Sequence, residues 1–188
     1  MQAMVLAGGL STRMGQDKSI ITLNGRTLLS ITIERLLLAG HSRIVVLAAD
    51  EEQKRIQKRT MDESCNDVEW LLDSIPHGGL IEALVSGVER SHFDQTLPLQ
   101  LSSVDSPWLN PNIHIALQRE LSKDIDVAMP SGNRIHPLHS LVSAPSLLNT
   151  VKPDAGPLRE QLKSLNSAIL HWPESELTNV NVPSDLER

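Results

Sequence analysis

Short runs of apolar residues alternate with amphipathic segments along the first two thirds of the chain. A continuous apolar run bounded by polar or turn residues is typical of a strand that is buried on both faces. Runs of this kind predict strands over residues 3–7, 43–48, 68–72 and 97–104. Between them, apolar residues recur with the period of one face of an α-helix. The alternation predicts an α/β sheet whose strands are connected by helices.

The helical segments begin and end at familiar signals. After the first strand, Leu and Ile recur at helical spacing, and Gly40 is expected to end that helix. A polar segment, residues 51–59, predicts a helix on the surface, and residues 80–88 predict an amphipathic helix. Asn110-Pro111 predicts the start of a further helix, with Asn110 as the N-cap and Pro111 in the first turn.

The last third of the chain has a less regular pattern. Strands are predicted over residues 125–129, 138–142 and 168–172, and short helices after Pro145 and Gly156-Pro157. Because these strands are not separated by long helices, at least one of them is expected to be antiparallel. The whole pattern predicts an α/β fold, a Rossmann-like three-layer sandwich with a mostly parallel mixed sheet.

Length and composition limit the classes of protein to consider. A chain of 188 residues predicts a single domain, residues 1–188. Hydrophobic residues make up 40% and charged residues 21%, which is ordinary for a globular protein and argues against disorder. The chain has three Trp, one Phe and no Tyr, too few rings to build a stacking surface for single-stranded nucleic acid.

The net charge of −6 argues against nucleic acid or an anionic membrane as a partner. The first residues resemble no signal peptide, and no apolar run is long enough to span a membrane, so a cytoplasmic location is expected. The single cysteine, Cys65, lacks the spacing of a metal or redox motif and is interpreted as incidental. The histidines also lack ligand spacing and are expected to be surface or partly buried: His41, His77, His92, His114, His139 and His171.

A glycine-rich loop over residues 6–18 follows the first strand. It is not a Walker A loop, because Lys18 is preceded by Asp17, and it contains no Gly-x-Gly-x-x-Gly. Adjacent glycines still let backbone N–H groups approach a ligand closely, and Arg13 and Lys18 add two positive charges. The loop is therefore a candidate binding site for a triphosphate.

The loop sequence, LAGG-x-x-x-RMG-x-DK, resembles the signature of the MobA-type nucleotidyltransferases, the family of molybdenum cofactor guanylyltransferases. The resemblance continues along nearly the whole chain. Its further segments are Asp73-Ser74, Val104-Asp105-Ser106-Pro107-Trp108-Leu109, Arg134-Ile135-His136-Pro137-Leu138, and the closing Asn-x-Asn-x-Pro run from Asn179. Val104 stands where the family usually has Cys. The carboxyl ends of the predicted strands would bring the loop, Asp73 and Asp105 to one edge of the sheet, where open α/β folds bind ligands.

The resemblance implies a reaction and a set of site residues. GTP would donate GMP to the phosphate of molybdopterin, pyrophosphate would leave, and Mg²⁺ would be required. Asp105 would hold the Mg²⁺, and Lys18 and Arg13 would stabilise the leaving pyrophosphate. The nucleotide would contact Leu6, Ala7, Gly8, Gly9, Lys18, Asp73 and Asp105, and the pterin substrate would contact Arg134, Asn179 and Asn181. Transient contact with other molybdenum cofactor proteins is also implied.

Base choice is less well supported than phosphate binding. Leu47 stands where the guanine-specific family usually has Asn, and Gly78-Gly79-Leu80-Ile81-Glu82 replaces Gly-Pro-Leu-Ala-Gly. GTP is favoured through backbone groups near Leu47 and in the Gly78–Leu80 loop. The alternatives are a cytidylyltransferase for the same pterin, an enzyme that makes nucleotide sugars, and a nucleotide-binding regulator without turnover. Arg134 and His136 are interpreted equally well as a surface pair.

Overall fold

The computed structural model describes residues 1–9, 16–76, 78–121 and 124–187. In chain order the elements are β1 (Gln2–Leu6), β2 (Thr22–Leu23), β3 (Arg26–Thr27), α1 (Leu28–Leu38), β4 (Arg43–Ala48), α2 (Glu51–Thr60), β5 (Glu69–Leu72), α3 (Leu80–Arg90), β6 (Pro98–Ser103), α4 (Asn112–Glu120), β7 (Val127–Ser131), β8 (Leu141–Ser143), α5 (Ala144–Thr150), α6 (Leu158–Lys163), β9 (Ser167–His171) and α7 (Glu174–Leu177). None of the helices in this described part is long and apolar enough to cross a membrane.

Over the described residues, seven strands form one mixed sheet in the order β5-β4-β1-β6-β8-β7-β9. β8 runs antiparallel to both of its neighbours, and every other pair in this sheet is parallel. The carboxyl ends of β1, β4, β5, β6, β7 and β9 therefore meet at the same edge. This confirms the mostly parallel mixed sheet and the expected antiparallel strand in the last third of the chain.

Helices cover both faces of the sheet, which makes the fold a three-layer sandwich. Successive residues of a strand point to opposite faces. On β1, Met4 and Leu6 pack into a core shared with α3, α5 and α6, whereas Ala3 and Val5 pack into a core shared with α1. A smaller cluster joins α4 to the α1 side of the sheet through Ala128.

Most predicted elements are confirmed, and three local differences have clear causes. The predicted strand over residues 138–142 begins only at Leu141, because Pro137–His139 forms a 3-10 turn. Asn110 is not the N-cap of α4: Pro111 takes that place, and Asn110 Oδ1 instead accepts the N–H of Asn112. The hairpin of β2 and β3 was not predicted.

A sequence signal for this hairpin was present. Asn24 and Gly25 connect its strands with φ values of 53° and 80°. Two adjacent residues with positive φ make the turn that best matches the twist of a hairpin, and Asn-Gly is its commonest sequence. Gly40, with a φ of 84°, lies beyond the end of α1 as predicted.

Candidate active site

The candidate site lies at the edge of the sheet where the parallel strands end. Gly8 follows β1, Asp73 follows β5, and Asp105 lies two residues after β6. β7 ends at the same edge and leads into Arg134. The structure thus places the beginning of the loop and the two aspartates along one edge, as the strand pattern predicts, and adds Arg134 to the same edge.

Gly8 is the point of closest backbone packing in the described part of the loop. A Cβ atom at Gly8 would lie 3.0 Å from the backbone nitrogen of Ala49 and 3.1 Å from Asp73 Oδ2. The two preceding residues continue the sheet: Leu6 packs in the core, and the N–H of Ala7 donates to the carbonyl of Leu47. Gly9 is exposed beyond them, so within the part of the loop that the structure describes, Gly8 and Gly9 are well placed for a ligand. Arg13 lies outside the described residues.

The turn that begins with Lys18 is held in place by a network of side-chain amides. It begins a 3-10 turn for which Asp17 is the N-cap, with Asp17 Oδ1 accepting the N–H of Ser19 at 2.9 Å. Asp17 Oδ2 accepts hydrogen bonds from Gln53 at 3.0 Å and Gln57 at 3.1 Å. The same Gln57 nitrogen contacts the carbonyl of Ala7 at 3.0 Å. This network ties the Lys18 turn to the end of β1 and to α2.

Asp105 is the centre of a polar cluster. Its Oδ1 accepts the hydroxyl of Ser103 at 2.6 Å, and its Oδ2 accepts the side-chain amide of Asn179 at 3.0 Å. Lys18 Nζ lies 4.0 Å from Oδ2, and both side chains are about one fifth exposed. Lys18 Nζ also donates to Asn181 Oδ1 at 3.0 Å. Residues that are far apart in the sequence therefore meet around one carboxylate.

The closing segment of the chain reaches this cluster through a backbone contact. The N–H of Val180 donates to the carbonyl of Asp105 at 2.7 Å, and the Val180 side chain is buried in the α1-side core. In an extended segment, alternate side chains point to opposite sides. Asn179 and Asn181 therefore both face the cluster, which explains the Asn-x-Asn spacing.

Buried groups support Asp105 from behind. His139 Nε2 lies 2.8 Å from the Ser106 hydroxyl, and that hydroxyl is 3.1 Å from Asn179 Oδ1. Arg35 of α1 donates to the backbone carbonyl of Ser106 at 3.2 Å. Burial lowers the pKa of Arg35 to about 10, so its guanidinium remains charged at neutral pH, and burial lowers the pKa of His139 to about 4, so its ring is neutral.

Several expectations need correction. Backbone groups near Leu47 were expected to contact the base, but the Leu47 carbonyl accepts the N–H of Ala7. Its side chain is 1% exposed and packs beneath α3, where a Cβ at Gly87 would lie 3.2 Å from Leu47 Cδ2. His41, His114 and His139 are not surface or partly buried histidines, because none is more than 2% exposed. His77 lies outside the described residues.

Arg134 remains apart from the Asp105 cluster. It is exposed, and among the described contacts its side chain makes no hydrogen bond to the cluster. Burial, with a further contribution from the charge of Arg134, lowers the pKa of the neighbouring His136. His136 is 5% exposed, so it is not half of a surface pair.

Gln57, Ser103 and His139 also lie at the site, and none of them was predicted to do so. Gln57 lies in a helix expected to be all surface, yet it is fully buried against the loop. The spacing of Gln53 and Gln57, one helical turn apart, was an available signal. Ser103 lies in a strand that is mostly apolar, and His139 was expected to lie in a strand. No neighbouring residue in the sequence indicates that either side chain lies next to the Asp105 cluster.

The Asp105 carboxylate suits Mg²⁺. This hard cation takes oxygen ligands, and proteins often supply only one or two carboxylates while water and phosphate oxygens complete the shell. Each oxygen of Asp105 accepts one hydrogen bond from a protein donor, which leaves lone pairs for a cation. The described residues contain no cluster of three or more His, Cys, Asp or Glu side chains that could hold a metal alone.

Comparison with known proteins agrees with this geometry. The sequence profile described as "MobA-like NTP transferase domain" matches residues 3–169. A protein of Methanothermobacter thermautotrophicus named "Probable molybdenum cofactor guanylyltransferase" is 27% identical, with 97% of this chain and 95% of that protein covered. A protein of Thermococcus sibiricus with the same name is 28% identical, with 100% of this chain and 96% of that protein covered.

The fold also matches solved structures. Molybdopterin-guanine dinucleotide biosynthesis protein A from Archaeoglobus fulgidus superposes with a TM-score of 0.74 at 21% identity, and 100% of this chain and 96% of that one are covered. At this identity the likeness concerns the three-layer sandwich itself.

Proposed function

This chain belongs to the MobA-like NTP transferase family, and from that premise we propose that it transfers GMP from GTP to a molybdopterin-type acceptor and releases pyrophosphate. The observation that carries the proposal is the meeting of Lys18, Asp105, Asn179 and Asn181 at the carboxyl edge of the sheet. It is supported by relatives named as guanylyltransferases that match nearly the full length of the chain.

The reaction requires no covalent intermediate with the protein. A phosphate oxygen of the acceptor attacks the α-phosphorus of GTP and forms the new P–O bond. The bond from the α-phosphorus to the oxygen shared with the β-phosphorus breaks, and that oxygen leaves with pyrophosphate and keeps the electron pair. Because an ionised phosphate is already a nucleophile, the protein mainly has to align the reactants and offset negative charge.

We assign the binding of the leaving phosphates to Lys18 and the glycine-rich loop. The separation of 4.0 Å between Lys18 Nζ and Asp105 is longer than a hydrogen bond, so the ammonium can turn toward a phosphate without breaking a tight ion pair. Gly8 and Gly9 follow β1 directly and can present backbone N–H groups to the same phosphates. The Gln57 network keeps the Lys18 turn next to this loop. The contact of Arg13 with the leaving phosphates stays a prediction.

Asp105 is the residue that would hold Mg²⁺. When bound, the ion supplies positive charge next to the nucleotide phosphates. Ser103 and Asn179 fix the plane of the carboxylate by donating to its two oxygens. Both polar atoms of the Asn179 side chain are engaged inside the protein, so we assign Asn179 to orienting Asp105. Asn181 and the exposed Arg134 are then the proposed contacts of the acceptor.

Guanine recognition is proposed at the beginning of α3, because Leu47 is buried and its carbonyl is occupied by Ala7. Glu82 lies in the first turn of α3, and its Oε1 is 3.4 Å from the hydroxyl of Ser74, which follows Asp73. Guanine presents two adjacent donors, N1–H and N2–H₂, which match the two oxygens of a carboxylate. Cytosine, adenine and uracil place an acceptor beside their donor, where a carboxylate oxygen would be repelled.

Calorimetric titration with GTP, CTP, ATP and UTP in the presence of Mg²⁺ tests this choice. We expect GTP to bind most tightly, and Glu82→Gln to narrow its advantage over CTP by about 10- to 150-fold, the value of one hydrogen bond to a charged group. Glu89→Gln, at an exposed position of the same helix, is the matched control. Equal affinity for GTP and CTP contradicts guanine selection, and tighter binding of CTP identifies the protein as a cytidylyltransferase for the same pterin.

Transfer itself is tested by measuring pyrophosphate release from GTP before and after molybdopterin is added. Release that depends on the acceptor is expected. Nucleotide binding without acceptor-dependent release would instead identify a nucleotide-binding regulator.

A further inference from the structure

His139 lies behind the Asp105 cluster and is held in a fixed position. It is 2% exposed and closes the 3-10 turn that precedes β8. Its backbone carbonyl accepts the side-chain amide of Gln100 at 2.9 Å. Its Nε2 atom lies 2.8 Å from the Ser106 hydroxyl and 3.4 Å from the Ser103 hydroxyl. Since those two serines surround Asp105, the ring is one step removed from the carboxylate.

The hydrogen bonds around Asp105 have only one consistent direction. The Ser103 hydroxyl must donate its single proton to Asp105 Oδ1, because an ionised carboxylate only accepts. Asn179 turns its NH₂ group to Asp105 Oδ2 and therefore turns its carbonyl oxygen to Ser106. An amide oxygen can only accept, so in this contact of 3.1 Å the Ser106 hydroxyl gives its only proton to Asn179.

The proton position on His139 follows from these directions. Both serine hydroxyls have used their protons, so the ring nitrogen that faces them must be the donor. His139 is therefore neutral with its proton on Nε2. Its Nδ1 atom is buried and, within the residues that the structure describes, has no hydrogen-bond partner, which fits an atom without a proton.

We propose that His139, with its proton on Nε2, is a positioning residue that fixes the orientation of Asp105 through Ser106 and Asn179. The donors run in one direction, from His139 to Ser106, from Ser106 to Asn179, and from Asn179 to Asp105 Oδ2. Without the first donor, the Ser106 oxygen loses the contact that fixes the rotation of its hydroxyl. The hydrogen bond that sets which end of the Asn179 amide faces Asp105 is then weakened.

The role of His139 in turnover rests on the proposed function, but the hydrogen bonds from His139 to Asp105 do not depend on any substrate. Residues one step behind a metal ligand typically change metal affinity or activity by about 10- to 100-fold when they are replaced. We therefore expect His139→Leu to lower kcat by about 10- to 100-fold and to weaken the dependence of nucleotide affinity on Mg²⁺, with the GTP KM in low Mg²⁺ almost unchanged.

The decisive comparison is between His139→Gln and His139→Leu. Gln carries an NH₂ group at about the distance of Nε2 from the backbone, so it should restore most of the activity and of the Mg²⁺ dependence that Leu removes. His41→Phe is the matched control, because His41 is equally buried but lies near the start of β4, at the opposite edge of the sheet. Thermal unfolding of all variants separates loss of folding from loss of positioning.

A second measurement does not depend on activity. In protein with ¹⁵N-labelled histidine, the ring nitrogens of His139 should show a protonated Nε2 and an unprotonated Nδ1. A proton on Nδ1, or His139→Gln behaving like His139→Leu, overturns the proposal. If the wild-type protein binds Mg²⁺ and nucleotide but transfers no GMP, the proposed function fails while the ¹⁵N spectrum and the Mg²⁺-dependent affinity still decide the role of His139.

Discussion

Replacing Asp105 with Asn keeps the shape of the side chain and removes its charge. One of the two oxygens becomes an NH₂ group. If that group takes the place of Oδ2, it faces the Asn179 amide and the Lys18 ammonium, which are both donors. If it takes the place of Oδ1, it faces the Ser103 hydroxyl, which can rotate and accept. The second arrangement is therefore expected, with the carbonyl oxygen still facing Asn179.

The cost in stability can be worked from these contacts. A hydrogen bond to a charged group contributes about 1.5–3 kcal/mol, against about 0.5–1.5 kcal/mol for a neutral one. Two bonds that lose their charge-assisted character should lower the free energy of unfolding by about 2 kcal/mol. For a chain of this size that corresponds to a decrease in Tm of about 4–8 °C. Turnover should fall by about 10²–10³, because a fixed charge at the reacting phosphates has been removed.

The assay is pyrophosphate release at several Mg²⁺ concentrations, with Tm measured in parallel. Asp94→Asn is the matched control: the Asp94 carboxylate also accepts two hydrogen bonds, both from Thr96, but it lies before β6 at the far edge of the sheet. If Asp105→Asn retains the wild-type kcat at limiting Mg²⁺, Asp105 does not hold the metal.

Other perturbations test the loop and the core. Lys18→Ala should weaken calorimetric GTP binding by about 10- to 150-fold, whereas Lys163→Ala on α6 should not, and equal effects contradict the phosphate role. Gly8→Ala should lower the free energy of unfolding by about 1–3 kcal/mol, because its Cβ would meet a backbone nitrogen at 3.0 Å, and Gly9→Ala, with no atom within 4 Å, should not. Burial lowers the pKa of His41 to about 4. Below about pH 6.5 the His41 ring is therefore protonated in the unfolded chain but stays neutral in the folded chain. Denaturant unfolding should show stability falling from pH 6.5 to 4, with a shallower slope in His41→Phe.

Elements with a strong local pattern could be predicted from the sequence. β4 is a continuous β-branched run, and the structure gives it the predicted bounds, Arg43–Ala48. The edge that carries Gly8, Asp73 and Asp105 also followed from the sequence, because parallel strands bring their carboxyl ends together. In the first case a single segment contains the information that decides its own structure, and in the second a general rule for parallel sheets supplies what the segments lack.

Predictions failed where the outcome depends on a distant segment. Backbone groups near Leu47 were expected to contact the base, but the Leu47 carbonyl accepts the N–H of Ala7, which follows the neighbouring strand β1, and the Leu47 side chain packs beneath α3. Gln57 lies in a helix of polar residues, and only the approach of the loop to α2 turns it into a buried donor. Neither fact can be obtained from one segment alone.

The site divides in the same way. The proposed phosphate-binding part is local: Gly8, Gly9 and Lys18 lie in one loop, so a motif identifies them. The hydrogen bonds around Asp105 are not local, since Ser103, Asn179 and, behind them, His139 come from three separate parts of the chain. If His139 and Asn179 orient Asp105 as proposed, a chain could keep the whole glycine-rich signature and still lose turnover through a change at position 139 or 179, where no motif would reveal the loss.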